Sequence, residues 1–136
     1  MEQFDKWNEV KKHTQNKEFN FSLKPREIYW VKIGQNIGSE EYGKDKDFTR
    51  PVIIIRKLTK DLFIGVPLTT TVKDNDYFHP FTYNNKTRGE IENSAMILQL
   101  RTFSIKRVLN KIGKISVEDF EQVVEKMRLI VTPPKR

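Results

Sequence analysis

The most restrictive feature of this sequence is a series of five short segments, rich in β-branched and aromatic residues, with no helical pattern between them. Segments of this length and composition, separated by turn residues, predict β-strands. Pro80, within the fourth segment, marks an edge strand because proline cannot donate to a sheet hydrogen-bond ladder. Short connections between consecutive strands favour a small antiparallel barrel or sandwich. The predicted strands span residues 27–33, 51–57, 62–69, 77–83 and 95–103.

The first 25 residues have a different pattern. Phe4, Trp7 and Val10 recur every three residues among polar neighbours, which predicts a short amphipathic helix. Pro25 closes this segment, since the residue before a proline is pushed out of the helical conformation. The predicted organisation is therefore an N-terminal helical extension, residues 1–25, followed by a barrel domain, residues 26–136.

The C-terminal third of the chain is predicted to be helical. Ser104 can cap a short turn over residues 105–111. Ser116 then begins a longer helix, since Asp119 follows it at capping-box spacing. Apolar residues after this cap recur at helical intervals and predict one buried face. They are Phe120, Val123, Val124, Met127 and Ile130.

Charge and residue usage limit the classes of function. The net charge of +7, from 25 basic and 18 acidic residues, favours a polyanionic partner, nucleic acid first. The absence of cysteine excludes disulfides, a thiol nucleophile and thiolate metal ligands. No window contains the roughly 18 to 20 apolar residues needed to cross a bilayer, and no signal peptide precedes the domain, so we expect a cytoplasmic protein without membrane contact.

The sequence carries no signature of a metal or a nucleotide cofactor. His13 and His79 are the only histidines, they lie far apart, and no His/carboxylate cluster has ligand spacing. A P-loop and a GxGxxG motif are both missing. We therefore expect no bound metal and no cofactor.

Polar residues instead gather where predicted strands begin or end. A polar loop containing Glu40 and Glu41 runs into Arg50, directly before the apolar strand, while Thr69 and Thr70 close the next strand. A fixed cation at the end of a rigid strand is suited to hold an anion. Gln99 and Arg101 are two residues apart on the fifth predicted strand and are therefore expected on one face.

Several of these residues belong to an ordered set of motifs. EIYWVKIG at 27–34 is followed by GSE at 38–40, Arg50-Pro51-Val52, VPLTT at 66–70, QLRT at 99–102 and KIGKIS at 111–116. Over residues 26–131 the chain resembles the PemK/MazF family of toxin endoribonucleases. The resemblance implies a homodimer of small SH3-like antiparallel barrels (CcdB/MazF-like), each with a C-terminal helix. It also implies metal-independent cleavage of single-stranded RNA and inhibition by a cognate antitoxin whose extended tail occupies the RNA groove.

The resemblance also assigns roles to individual residues. The family's catalytic arginine, threonine and loop glutamate fall on Arg50, Thr69 and Glu40. Cleavage without a metal requires attack of the 2′-OH on its own phosphate, giving a cyclic phosphate and a 5′-OH. This needs positive charge on the phosphorane, a base for the 2′-OH and an acid for the leaving oxygen. The guanidinium of Arg50 supplies the charge and is also a candidate proton donor, a threonine hydroxyl positions the phosphate, and a carboxylate takes the 2′-OH proton. The further expected RNA contacts are Thr70, Gln99, Arg101 and Tyr42.

Two departures from the family pattern affect which residue can act as the general base for the 2′-OH. An insertion, YGKDKDFT, separates Glu40 from Arg50, so the base stays open between Glu40 and three other loop carboxylates: Glu41, Asp45 and Asp47. Met96 and Leu98 stand where some relatives carry an arginine and an aspartate. That form of the acid–base pair is therefore absent.

Other interpretations of the same residues stay open. Arg50 can be a surface cation in an ion pair, and Thr69 an ordinary strand residue. At the level of function, the alternatives are a non-catalytic toxin of the same fold, like the gyrase poisons, and a plain RNA-binding module. For base stacking, the candidate aromatic residues are Trp30, Tyr42, Phe48 and Tyr83.

Overall fold

The computed structural model describes residues 22–34 and 48–135. In chain order the elements are β1 (Glu27–Lys32), β2 (Thr49–Lys57), β3 (Leu62–Thr69), β4 (Phe78–Asn85), β5 (Gly89–Met96), β6 (Arg101–Ser104), β7 (Val108–Lys114) and α1 (Val117–Val131). Single 3₁₀ turns at Ile97–Gln99 and Ile105–Arg107 flank β6. The predicted N-terminal helix, Glu40 and Tyr42 lie outside the described residues.

The strands form one antiparallel sheet that curls into a half-barrel. Its strand order is β4-β5-β3-β2-β1-β7, and β6 pairs with the free part of β3. The two ends of this path meet where the Lys86 amide donates to the Ile112 carbonyl at 2.9 Å. The prediction of a mainly-β antiparallel barrel with a C-terminal helix is confirmed, and β4 lies at the end of the strand path as Pro80 predicts.

Strand β2 is apolar without alternation because both of its faces are covered. Successive side chains on a strand point to opposite faces. Ile53 packs into the core cluster that includes Val123 of α1, whereas Val52 and Ile54 pack into a second cluster around Phe63. These three β2 residues have no exposed surface. A strand packed on both faces is a rigid support for the residues at its start.

The predicted last long strand, 95–103, is wrong. Met96 ends β5, the 3₁₀ turn follows, and Arg101 begins a new strand. The chain turns here because β5 pairs with the end of β3 whereas β6 pairs with its beginning. Gln99 therefore lies in the turn and not beside Arg101 on one strand face.

The predicted helical turn over residues 105–111 is only partly correct. Ser104 does cap a 3₁₀ turn, accepting the Lys106 amide at 3.1 Å. From Val108 onward, however, the chain is strand β7, paired with β1. Irregular register in this pairing places buried residues of β7 at helix-like intervals. Because the predicted 95–103 strand is divided and residues 108–114 form a further strand, the described residues contain seven strands where five were predicted.

Helix α1 begins and packs as the sequence predicts. The Ser116 hydroxyl oxygen accepts the Asp119 amide at 3.1 Å, which satisfies one donor of the first turn. Val123 is fully buried, and Lys126 Nζ donates to the Phe78 carbonyl at 2.7 Å, which ties the helix to β4. Within the described part of the chain, no helix is long and apolar enough to cross a membrane.

A buried carboxylate joins β1 to β7. Glu27 accepts from the Lys24 amide at 3.0 Å, from Lys111 Nζ at 3.0 Å and from the Tyr29 hydroxyl at 3.2 Å. Burial acts to raise the pKa of the Glu27 carboxyl, but these hydrogen bonds together lower it below its ordinary value. Burial and the adjacent carboxylate raise the pKa of Tyr29 to about 12, so its hydroxyl stays a donor.

This carboxylate is expected to make stability depend on pH. Because the folded state holds Glu27 ionised more strongly than the unfolded chain does, its contribution is present above the ordinary carboxyl pKa and is lost as the pH falls through the lowered one. Urea midpoints between about pH 7 and about pH 3 should therefore show the wild type losing its advantage over Glu27→Gln in acid. If the difference in urea midpoint between the wild type and Glu27→Gln stays constant with pH, Glu27 is not the source of the pH dependence.

Candidate functional site

An open groove lies at the end of the half-barrel where β2 begins and β3 ends. The cavity has a volume of about 320 Å³. One side is formed by the start of β2 and the end of β3, and the other by the β4–β5 hairpin. Its lining residues are Trp30, Phe48, Thr49, Arg50, Pro51, Leu68, Thr69, Thr70, Tyr83, Asn85, Arg88, Ile91 and Asn93.

The strand register brings Arg50 and Thr69 together. Val52 of β2 pairs with Pro67 of β3 in an antiparallel ladder. Continuing that register by two residues places Arg50 opposite Thr69. The Arg50 guanidinium also donates from Nη1 to the Leu68 carbonyl at 3.3 Å, and its Cζ lies 5.1 Å from the centre of the Phe48 ring. The cation is thus held beside Thr69, and within residues 22–34 and 48–135 its side chain makes this single hydrogen bond, which leaves further donors for a ligand.

The Arg50 side chain is a partly desolvated cation. Burial lowers the pKa of its guanidinium from the ordinary value, yet arginine remains charged at neutral pH. The described lining of the groove contains a second arginine, Arg88, and no carboxylate. A half-buried positive charge with no carboxylate beside it in the described lining favours an anion in this groove.

Thr69 is oriented by a local turn. Its Oγ1 accepts the Thr71 amide at 3.3 Å. A hydroxyl that accepts through a lone pair keeps its own proton available to donate. Thr69 therefore offers a donor beside the Arg50 guanidinium, a combination that fits two oxygens of one phosphate. Thr70 lines the same groove and is exposed.

The hairpin side of the groove contains residues that the sequence interpretation did not assign to a site. Tyr83 was a candidate for base stacking, but Asn85, Arg88 and Asn93 were not singled out. Asn93 is buried, and its Nδ2 donates to the Phe81 carbonyl at 2.8 Å. Polar residues at the inward positions of β4 and β5, where the alternation calls for apolar ones, were the available signal.

The two other predicted RNA contacts do not line the groove. Gln99 is exposed in the 3₁₀ turn after β5. Arg101 is exposed on β6, where its Cζ lies 4.6 Å from the centre of the Phe103 ring. Leu98, at a position where some relatives have an acidic residue, is 61% exposed. The structure therefore brings together Arg50, Thr69 and Thr70, but neither Gln99 nor Arg101.

Histidine and carboxylate side chains in the described part of the chain do not cluster as a metal site. No group of three or more such residues is close enough to hold an ion. His79 instead pairs through Nε2 with Asp119 Oδ1 at 2.9 Å, between β4 and the start of α1. Neither residue of this pair lines the groove.

Comparison with known families identifies the chain. Residues 24–131 match the family model described as "PemK-like, MazF-like toxin of type II toxin-antitoxin system". The chain belongs to this family of toxins. The resemblance carried by the motifs of the sequence is thereby confirmed. No relative with a curated description is similar enough in sequence to count as a match.

Solved structures of the family share the fold. The Mycobacterium tuberculosis toxin MazF-mt6 aligns with a TM-score of 0.58 and 17% identity over 81% of this chain and 100% of its own. A MazE–MazF structure from Deinococcus radiodurans aligns with a TM-score of 0.62 and 12% identity, over 84% of this chain and 99% of its own. An endoribonuclease in complex with its cognate antitoxin from a mycobacterial species aligns with a TM-score of 0.59 and 11% identity, over 85% of this chain and 100% of its own. At these identities the likeness establishes the MazF-like fold.

Proposed function

We propose that this toxin is a sequence-selective, metal-independent endoribonuclease that cleaves single-stranded RNA. The observation that carries the proposal is the Arg50–Thr69 pair, held side by side in a groove whose described lining has no negative charge. A solved relative named as an endoribonuclease shares this fold, which is consistent with the activity. The partly exposed rings of Trp30 and Phe48 in the groove suit unstacked bases, whereas Tyr83 is buried in the core and does not offer a stacking face.

In the proposed mechanism the RNA supplies its own nucleophile. The 2′-OH attacks the adjacent phosphorus, the bond to the 5′-oxygen breaks, and the products are a 2′,3′-cyclic phosphate and a 5′-OH. Arg50 stabilises the negative charge of the phosphorane, and its fork matches two phosphate oxygens. The Thr69 hydroxyl donates a hydrogen bond to a non-bridging oxygen and so positions the phosphate. The base that takes the 2′-OH proton is a carboxylate of the preceding loop, Glu40 or one of its neighbours, and these residues lie outside the described part of the chain. The leaving 5′-oxygen takes up a proton from Arg50 or from water, and the proton held by the carboxylate returns to the solvent, so the step is balanced.

The proposal includes partners. The groove accepts either a single RNA strand or the extended acidic tail of an antitoxin, since both are flexible polyanions attracted by the same arginines. Binding of the tail would then exclude RNA by occupation of the groove. We further propose a homodimer that acts on mRNA in the cytoplasm.

The activity is tested with purified, antitoxin-free protein and a mixture of defined single-stranded RNAs in the presence of EDTA. The proposal predicts new ends at one short sequence. Retarded but intact RNA would indicate a binding module, and RNA that is neither bound nor cut would favour a toxin that acts by protein contact. Either outcome contradicts the nuclease proposal.

Replacing Thr69 with valine keeps the side-chain shape and removes the donor. A hydrogen bond to a charged group contributes about 1.5–3 kcal/mol, so kcat/KM should fall about 10- to 100-fold. Thr69→Ser should restore most of the rate, and Thr71→Val, on an exposed neighbour outside the groove lining, should change it little. Equal losses in Thr69→Val and Thr71→Val would show that the hydroxyl has no specific role.

A further inference from the structure

The β4–β5 hairpin presents an arginine to the same groove as Arg50 and Thr69. Arg88 lies in the turn directly before β5 and lines the cavity. No ion pair joins it to a carboxylate within residues 22–34 and 48–135. The nearest acidic residues in sequence, Glu90 and Glu92, alternate with the groove-lining residues of β5 and therefore point to the other face. Among the described residues, the charge of Arg88 is thus left for a ligand in the groove.

The turn that holds Arg88 is built by one buried side chain. Asn85 Oδ1 accepts the Thr87 amide at 3.0 Å, the Thr87 hydroxyl at 3.1 Å and the Arg88 amide at 3.1 Å. Gly89 follows with φ of +80°, a conformation that favours glycine, so the chain can enter β5 immediately after Arg88. The backbone of the arginine is therefore fixed at both sides.

The hairpin itself is fixed to the opposite end of the sheet. Asn85 Nδ2 donates to the Tyr83 hydroxyl at 3.3 Å. The Tyr83 ring packs on Gly113 of β7 so closely that a Cβ there would lie 2.5 Å from a ring carbon. Beside this contact, the Lys86 amide donates to the Ile112 carbonyl. A surface arginine on a free loop would not need such support, whereas a ligand-binding one gains from it because less entropy is lost on binding.

We propose that Arg88 binds a backbone phosphate of the RNA next to the one held by Arg50 and Thr69. This inference rests on the proposed use of the groove for single-stranded RNA. The two cations on opposite sides of the groove then hold the strand at two successive points. Arg50 acts on the reacting phosphate, and Arg88 sets which phosphate of the strand reaches it. Arg88 is thus a positioning residue.

The test measures binding separately from cleavage. A single-stranded RNA with 2′-deoxy nucleotides throughout its central part cannot react, so its dissociation constant can be followed by fluorescence anisotropy from low to moderate salt. The logarithm of the binding constant falls linearly with the logarithm of the salt concentration, and we call the steepness of this line the salt slope. Loss of one phosphate contact on a single strand lowers the salt slope by about 0.7, which corresponds to about 5-fold weaker binding at about 0.1 M salt. We expect this change for Arg88→Gln and a smaller one for Arg88→Lys.

Lys86→Gln is the matched control, since it removes the same charge from the same turn at a side chain that does not line the groove. It should leave both the affinity and the slope close to wild type, and urea midpoints should show all variants folded. No effect of Arg88→Gln, or an equal effect of Lys86→Gln, overturns the inference. If the wild type binds the analogue but never cuts RNA, the nuclease proposal fails. The phosphate contact of Arg88 is then still tested by comparing the salt slopes of the wild type and Arg88→Gln. If the wild type does not bind at all, both are overturned.

Discussion

Replacing Arg50 with alanine is expected to lower kcat/KM for RNA cleavage by about 10²- to 10³-fold, as when one preorganised donor to a developing charge is removed. The guanidinium is held by the Leu68 carbonyl at 3.3 Å and is already partly desolvated, so little reorganisation is needed when the phosphorane forms. Binding of uncut RNA should weaken much less, because the charge matters most in the transition state. Initial rates on one mapped RNA, measured over a range of substrate concentrations, separate the two effects.

Arg56 provides the matched control for this substitution. It lies on the same strand, is exposed and does not line the groove. Arg56→Ala should therefore cut RNA at close to the wild-type rate. Arg50→Lys keeps the charge but loses the fork, and we expect an intermediate rate. A variant Arg50→Ala that is folded and cuts RNA as fast as Arg56→Ala would remove Arg50 from the mechanism.

Replacing Phe63 with alanine is expected to cause a large decrease in the free energy of unfolding. The Phe63 ring has no exposed surface and stacks on Phe103 with ring centres 5.5 Å apart. Truncating a buried phenylalanine costs about 3–5 kcal/mol. This is a large fraction of the roughly 5–15 kcal/mol that holds a domain together. Guanidinium unfolding curves should show the midpoint falling accordingly.

Leu62→Ala tests whether the effect comes from the buried face. Leu62 precedes Phe63 on β3 and is 38% exposed. Its truncation should cost far less. Similar losses for the two variants would contradict the described orientation of β3 and with it the second core cluster, which supports Val52 and Ile54 behind the groove.

Elements whose signals are local could be predicted from the sequence. The apolar run of β2 requires cover on both faces, and the structure provides it from two clusters. Helix α1 begins at Ser116 because a cap depends only on residues three positions apart. In both cases, neighbouring residues alone specify the conformation.

The end of the sheet could not be predicted in this way. Ile97 is buried in the turn between β5 and β6, so an apolar residue there looks the same as one within a continuous strand. In β7 the irregular pairing with β1 interrupts the period of two, and Val108 and Ile112 come to be buried at a helical spacing. Long-range pairing decides both conformations, and a local pattern does not contain it.

The same limit applies to the candidate site. Arg50 and Thr69 could be proposed from the sequence because each stands at a recognisable strand end within a motif. Arg88 and Asn93 reach the groove only because the β4–β5 hairpin packs beside β3 and returns to β7. Gln99 and Arg101 were expected together on a strand that the structure divides. Residues brought in by tertiary contacts were therefore missed, and residues grouped by an assumed strand were misplaced.

Attack by the 2′-OH of the RNA on the phosphate held by Arg50 can be tested by removing one oxygen atom from the substrate. Once the cleavage site is mapped, an RNA with a single 2′-deoxy nucleotide immediately 5′ of the scissile phosphate is compared with the unmodified RNA in EDTA. We expect that the modified RNA binds and is not cut, and that the unmodified RNA yields a 2′,3′-cyclic phosphate and a 5′-OH. Cutting of the deoxy-substituted RNA at that site, or a 5′-phosphate on the product, would contradict it.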